Sequence, residues 1–180
     1  MPLKPAVFLS HAGVFVNDLE KMVGFYTRLF GFVVSDRGDT RSGCQIVFLT
    51  SSPEEHHQFV LATGRPAEVP FNVVNQISFR VDGLASLRRM HAAILAEGLS
   101  PRCVTHGNAL SVYFNDPEGN RLELLIDTPW HVPQPLAIEV DLSRPDDQLW
   151  QWLETEMRKR PGFKPRKEWQ GEIAEKLRGG

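Results

Sequence analysis

An internal repeat constrains this chain more than any other feature. The segment from His11 to Leu19 lines up with the segment from Gln76 to Leu84, an offset of 65 residues (positions 11 and 76). The same offset carries Val47-Phe48 onto Val112-Tyr113, and Gln58 onto Glu123. Identity between the copies is slight; the shared pattern is what carries the repeat, and a repeated pattern implies one supersecondary unit made twice.

Each copy opens with a short alternating segment, which reads as a strand. A turn at Asn17-Asp18 or Asp82-Gly83 follows, of the kind that starts a helix. Met22, Phe25, Tyr26 and Leu29 then recur at helical spacing and Gly31 stops the run; Leu84, Leu87, His91, Ile94 and Leu95 do the same before Gly98. Three strand-like stretches complete each copy: Val33–Ser35, Cys44–Thr50 and Gln58–Ala62, then Arg102–Thr105, Ala109–Asn115 and Arg121–Ile126. The expected fold is therefore α+β: two β-α-β-β-β modules, residues 5–64 and 70–129, forming a curved mixed sheet around a cleft. The loop from Gly64 to Pro70 separates them. Residues 130–180 break the pattern and form a C-terminal tail. Its stretch Asp146–Lys159 reads as a helix, and the part from Pro161 onward as polar and loosely held.

Strand alternation assigns the faces. Ala12, Val14 and Val16 form an apolar face for a helix to cover, which leaves His11, Gly13 and Phe15 opposite. Ile77, Phe79 and Val81 leave Gln76, Ser78 and Arg80. Leu122, Leu124 and Ile126 leave Arg121, Glu123 and Leu125. His11, Gln76 and Glu123 are thus expected on one concave surface. Each has a bland alternative: a satisfied core histidine for His11, a cleft hydrogen bond for Gln76, and a buried pair with Arg80 or Arg121 for Glu123. His56 and His57 are adjacent, so on a strand at most one of them reaches the cleft. His57 is a reserve ligand, brought inward by a bulge.

The duplicated module, with His on its first strand and Glu on its last, resembles the vicinal oxygen chelate superfamily over about residues 5–129. That group includes glyoxalase I, bleomycin-binding proteins and extradiol dioxygenases. The stretch Val104-Thr105-His106, five residues, Val112-Tyr113, two residues, Asp116-Pro117-Glu118-Gly119 and Glu123 is similar to the signature of the extradiol ring-cleavage dioxygenases. The tail segment Ile138-Glu139-Val140-Asp141 looks like their single-domain members. The resemblance implies a metal-dependent dioxygenase acting on a small catechol-like aromatic with O2. It makes His11, Gln76 and Glu123 the ligands of a divalent metal, Fe(II) first, with Mn(II), Ni(II) or Zn(II) as alternatives. It makes His106 the acid/base beside the metal and Tyr113 the hydrogen-bond partner of the substrate. At position 76 the pattern has a second His, and this chain has Gln, a harder and weaker donor for Fe(II) than imidazole. A glyoxalase-like isomerase or transferase, or a metal-free binding protein for a small aromatic, therefore stays open beside the dioxygenase.

Composition narrows the partners. Among 180 residues, 20 Lys and Arg stand against 22 Asp and Glu, a net charge of −2, which supplies no basic face for nucleic acid. No apolar run is long enough to cross a bilayer. The first residues lack the charged-then-apolar layout of a signal peptide, and two cysteines make no disulfide framework. A cytoplasmic protein is expected. A homodimer is expected too, because such modules leave sheet edges open and Trp150, Trp152 and Trp169 offer apolar surface.

Overall fold

Both modules form as the alternation and helical spacing require. The computed structural model describes residues 9–68, 72 and 74–179; residues 5–8 of the first expected module, and Val69 and Pro70 of the linker, lie outside the described residues. The chain divides into two compact units. The first takes the residues up to 73 together with Asp116–Gly119, and the second takes the rest, including the tail.

In the first unit, β1 (Ala12–Val16) leads into α1 (Leu19–Phe30), followed by β2 (Val33–Asp39), β3 (Gln45–Thr50) and β4 (Phe59–Thr63). The sheet order is β1-β4-β3-β2, with β1 parallel to β4 and the other pairs antiparallel. Asp18 caps α1 by accepting from the Lys21 N–H, and Gly31 ends it at φ 70°, a left-handed turn that glycine adopts without strain. The helix buries Met22, Phe25, Tyr26 and Leu29, and the sheet buries Val47, Leu49, Phe59 and Leu61. Each such side chain is worth about 1.5–3 kcal/mol of burial. The turn Asp116–Gly119 has a structural task here. The Glu118 carboxylate accepts the N–H groups of Asn17 and Asp18 at 2.8 Å, and Asp116 accepts the Tyr26 hydroxyl at 3.0 Å.

In the second unit, β5 (Ile77–Arg80) leads into α2 (Leu84–Ala96), then β6 (Arg102–Thr105), β7 (Ala109–Asn115) and β8 (Arg121–Asp127). Here β5 is parallel to β8, and β8 lies between β5 and β7. Leu87 and Ile94 of α2, with Val112, Leu122 and Leu124 of the sheet, are buried.

The tail is more ordered than its polarity suggests. It contains β9 (Trp130–His131), β10 (Ile138–Glu139), α3 (Asp146–Arg158), β11 (Lys164–Pro165) and α4 (Arg166–Gly179). β10 extends the sheet beyond β6, and β9 pairs with β11. α3 buries Leu149, Leu153 and Met157 completely. The segment expected to be loose instead forms α4, with Trp169 stacked on His131 at 5.0 Å. Trp150 packs against Trp130, and the Arg144 guanidinium lies over Trp152, so these three rings make contacts within their own unit. Among the described residues no helix is long and apolar enough to cross a membrane.

Candidate functional site

β8 places Glu123 between two partners on one sheet face, since Ser78 of β5 and Tyr113 of β7 both stand in register with it. Glu123 is buried, and three donors meet it. The Tyr113 hydroxyl donates to Oε1 at 2.6 Å, the Gln76 amide donates to Oε2 at 2.8 Å, and the Ser78 hydroxyl donates to Oε2 as well. Hydrogen bonds to an ionised acceptor are the strong kind, and a buried carboxylate needs them. Burial first, and then the bond to Glu123, push the Tyr113 phenol up to about 12, while Arg121, 4.5 Å above the ring, pulls the other way.

His106 follows β6, and its Nε2 lies 2.9 Å from the Tyr113 hydroxyl oxygen. Its Nδ1 lies 2.6 Å from the Leu136 carbonyl, which can only accept, so Nδ1 carries a proton. The chain Leu136–His106–Tyr113–Glu123 therefore has three links and needs three protons to complete them. A neutral imidazole, a phenol and a carboxylate supply two. A third proton at Nε2 completes the relay; without it the Tyr113 O–H must choose between Glu123 and His106. The arrangement can thus hold or hand on one proton at Nε2.

The tail fixes this imidazole. Gly107, at φ 77°, sits where a Cβ would come within 2.1 Å of Val132 Cγ2 and 3.0 Å of Met157 Sδ. The Gln134 amide donates to the His106 carbonyl.

In the first unit His11 directly precedes β1, and its ring centroid is 4.3 Å from that of His57. His57 also stands 4.9 Å from Phe48 and shares a 2.9 Å contact with His56. Partial burial, then His11 and His56, lower its pKa. Both His56 and His57 lie in the β3–β4 loop rather than on a strand, so strand alternation does not govern them. The register also corrects the alignment of Gln58 with Glu123. In the second unit Tyr113 pairs with Glu123; in the first, its counterpart Phe48 pairs with Val60. The last strands are thus offset by 63 residues (positions 60 and 123), because the loop in the first copy is two residues longer. Gln58 falls before β4 and accepts from Ser51.

The structure therefore joins Gln76, Glu123, Tyr113 and His106 into one network, and sets His11 beside His57. The pairing of Glu123 with Arg80 or Arg121 does not form: Arg80 pairs with Asp127 at 3.1 Å and Arg121 covers Tyr113. Ser78 is a site residue that strand alternation puts on this face without giving it a role. Leu136 is out of reach of any side-chain pattern, because it acts through its backbone.

Within the second unit Gln76 and Glu123 offer one amide oxygen and one carboxylate, donor types that suit a first-row divalent metal. Among the described residues no three His, Cys, Asp or Glu side chains form a group able to hold a metal ion. Gln76 presents its N–H to Glu123. Turning the amide over would present its oxygen instead, and Glu123, with about four lone-pair positions and three donors, keeps one free. The donor types fit a metal after that single rotation.

Two β-α-β-β-β modules, each a mixed sheet, with a carboxylate, a phenol and an imidazole linked on one sheet face of the second, define a duplicated α+β class of protein. The family model of the Glyoxalase/Bleomycin resistance protein/Dioxygenase superfamily matches residues 8–124, and the chain belongs to that superfamily. It is 31% identical over 125 residues to biphenyl-2,3-diol 1,2-dioxygenase 3 of Rhodococcus globerulus, covering 66% of this chain and 63% of that relative. The chain thus spans less than two thirds of that relative's length. Among solved structures, the glyoxylase/bleomycin resistance protein/dioxygenase domain from Frankia sp. EAN1pec matches with TM-score 0.58 at 17% identity, over 69% of this chain and all of that one. The fosfomycin resistance protein FosX of Listeria monocytogenes, complexed with Mn(II) and sulfate, matches with TM-score 0.55 at 19% identity, over 69% and 95%. At these identities the two structures share the fold.

Proposed function

We propose that the chain is a metal-dependent extradiol-type ring-cleavage dioxygenase acting on a small catechol-like aromatic with O2. The observation that carries the reading is the Glu123–Tyr113–His106 relay on one sheet face. The sequence likeness to a biphenyl-diol dioxygenase supports it. In this reading His11, Gln76 and Glu123 hold the metal, Fe(II) first and Mn(II), Ni(II) or Zn(II) as alternatives, and the active form is a homodimer. The bound metal supplies charge stabilisation and a common template for substrate and O2. The chain's own residues supply the rest. Tyr113 offers its hydroxyl to a substrate oxygen, and a proton delivered there passes to Nε2 of His106, which the Leu136 carbonyl holds in place.

A second reading has its own support. Glu123 already carries three protein donors, so it is stabilised without any cation. That favours a metal-free protein of the same fold that binds a small aromatic. Metal analysis of anaerobically purified protein separates the two. The dioxygenase should retain iron, lose it in Glu123→Ala, and bind it more tightly in Gln76→His, because imidazole is the better donor. Catechol with Fe(II) should give the yellow ring-opened product, about a hundredfold more slowly in His106→Ala. If neither the natural chain nor Gln76→His binds iron or opens catechol, the metal-free reading stands.

A further inference from the structure

Beyond Glu123, the same face of the second unit runs on into a cavity of about 300 Å³ lined by Arg80, Leu125, Asp127, His131, Arg166 and Trp169. Arg80 stands opposite Leu125, two residues past the Ser78–Glu123 pair, and Asp127 lies two residues further along β8. Those steps place the cavity about 7–13 Å from Glu123 along the strand.

Its charges do not cancel. Asp127 draws in two guanidinium groups, Arg166 at 2.8 Å and Arg80 at 3.1 Å, so one positive charge is left over. Arg166 meets Asp127 through its Nη1, and among the described residues its remaining N–H donors have no other carboxylate partner and can serve a guest. Asn108, also in the wall, accepts the Val132 N–H at its Oδ1, and its amide nitrogen has no hydrogen-bond partner among the described residues. The Trp130 indole N–H in the wall is buried and has no hydrogen-bond partner among the described residues. The remaining walls are apolar or aromatic: Ala109 and Leu125 from the sheet, and the His131–Trp169 stack with planes 12° apart. Burial first, then Lys164, lower the His131 pKa, against a smaller opposing pull from Glu172.

Surplus donors and positive charge select an anion; flat apolar walls select a ring or short hydrocarbon attached to it. We propose that this cavity is a carboxylate-binding subsite that makes aromatic acids, rings bearing a short carboxylate side chain, the preferred substrate class of the neighbouring site. The proposal rests on the ring-cleavage reading for the word substrate, and on the cavity alone for the binding of the acid. Arg166 and Arg80 are its specificity residues.

The test is calorimetric titration of the full chain, with no metal added, using 3-phenylpropanoate and its amide, 3-phenylpropanamide. The acid should bind at least about tenfold more tightly than the amide, as expected when charge-assisted hydrogen bonds are available only to the anion. Arg166→Gln and Arg80→Gln should each weaken the acid about tenfold and leave the amide unchanged. Thermal melting verifies that each variant is folded. Arg80, with its side chain 63% exposed, carries the test if Arg166→Gln disturbs the tail. Equal affinity for acid and amide, no binding of either, or acid binding indifferent to both variants overturns the subsite. Because no turnover is measured, a failure of the ring-cleavage reading leaves this result standing. A failure here leaves the iron and ring-opening tests untouched.

Discussion

Replacing Gly107 by alanine tests how firmly the tail grips the residue beside His106. Gly107 and Gly98 share nearly the same backbone, φ 77° and φ 75°, but only Gly107 is crowded. An added Cβ at Gly98 meets nothing within 4 Å, whereas at Gly107 it comes 2.1 Å from Val132 Cγ2, 3.0 Å from Met157 Sδ and 3.3 Å from Leu136 Cδ2. The left-handed conformation costs either alanine about 1–2 kcal/mol. Overpacking adds about 1–3 kcal/mol at Gly107 alone. With about 2–4 °C of melting temperature per kcal/mol for a chain of this size, Gly107→Ala should melt about 2–12 °C below Gly98→Ala. Scanning calorimetry measures the difference, and imidazole NMR signals follow His106, which should shift in Gly107→Ala only. Equal melting temperatures for the two variants would refute the close packing of Val132 and Met157 on this turn.

Two further outcomes follow from single groups. Burial alone would raise the Asp127 carboxyl, but hydrogen bonds to Arg166 and Arg80 and their charges outweigh it and leave the pKa below 3.8. A depressed carboxyl contributes stability above its unfolded pKa and loses it as the pH falls through the folded one. The urea midpoints of the natural chain and Asp127→Asn should therefore differ at pH 7 and converge below pH 3.8; a gap that persists at low pH would contradict the ion pairs. The Cys103 thiol is pushed up to about 11, by burial and then by Asp141. Iodoacetamide at pH 8 should label it about a hundredfold more slowly than an unhindered thiol, read by peptide mass, and labelling at the ordinary rate would show that the side chain is open to solvent.

Periodicity makes much of the fold readable in the amino-acid sequence. Met22, Phe25, Tyr26 and Leu29 face one way because helical spacing requires it, and Gly31 ends α1 where a left-handed residue is needed. β6 and β7 have the expected bounds, since alternating apolar residues bracketed by polar turns leave little choice. Polar segments are harder. The two extra residues before β4 lie in a loop without period, so an offset of 65 runs on through Gln58 although the strand itself has slipped. α4 escapes a pattern-based reading because its surface is charged on nearly every side and no apolar stripe announces it. In the candidate site, residue types identify Glu123, Tyr113 and His106, but not the partners that hold them. Ser78 is an ordinary strand residue until register sets it against Glu123, and the Leu136 carbonyl is a backbone atom that no side-chain pattern can indicate.

The grip of the tail on His106 also bears on the order in which the molecule is assembled. The Leu136 carbonyl that orients the imidazole lies 30 positions downstream of it, and Met157, which packs over Gly107, lies further along still. On the ribosome, β6 to β8 can pair while these residues are still inside the exit tunnel, so the sheet matures before the relay does. The relay is closed only once Leu136 has followed, and a copy that stops short of it carries its histidine without the carbonyl that aims it.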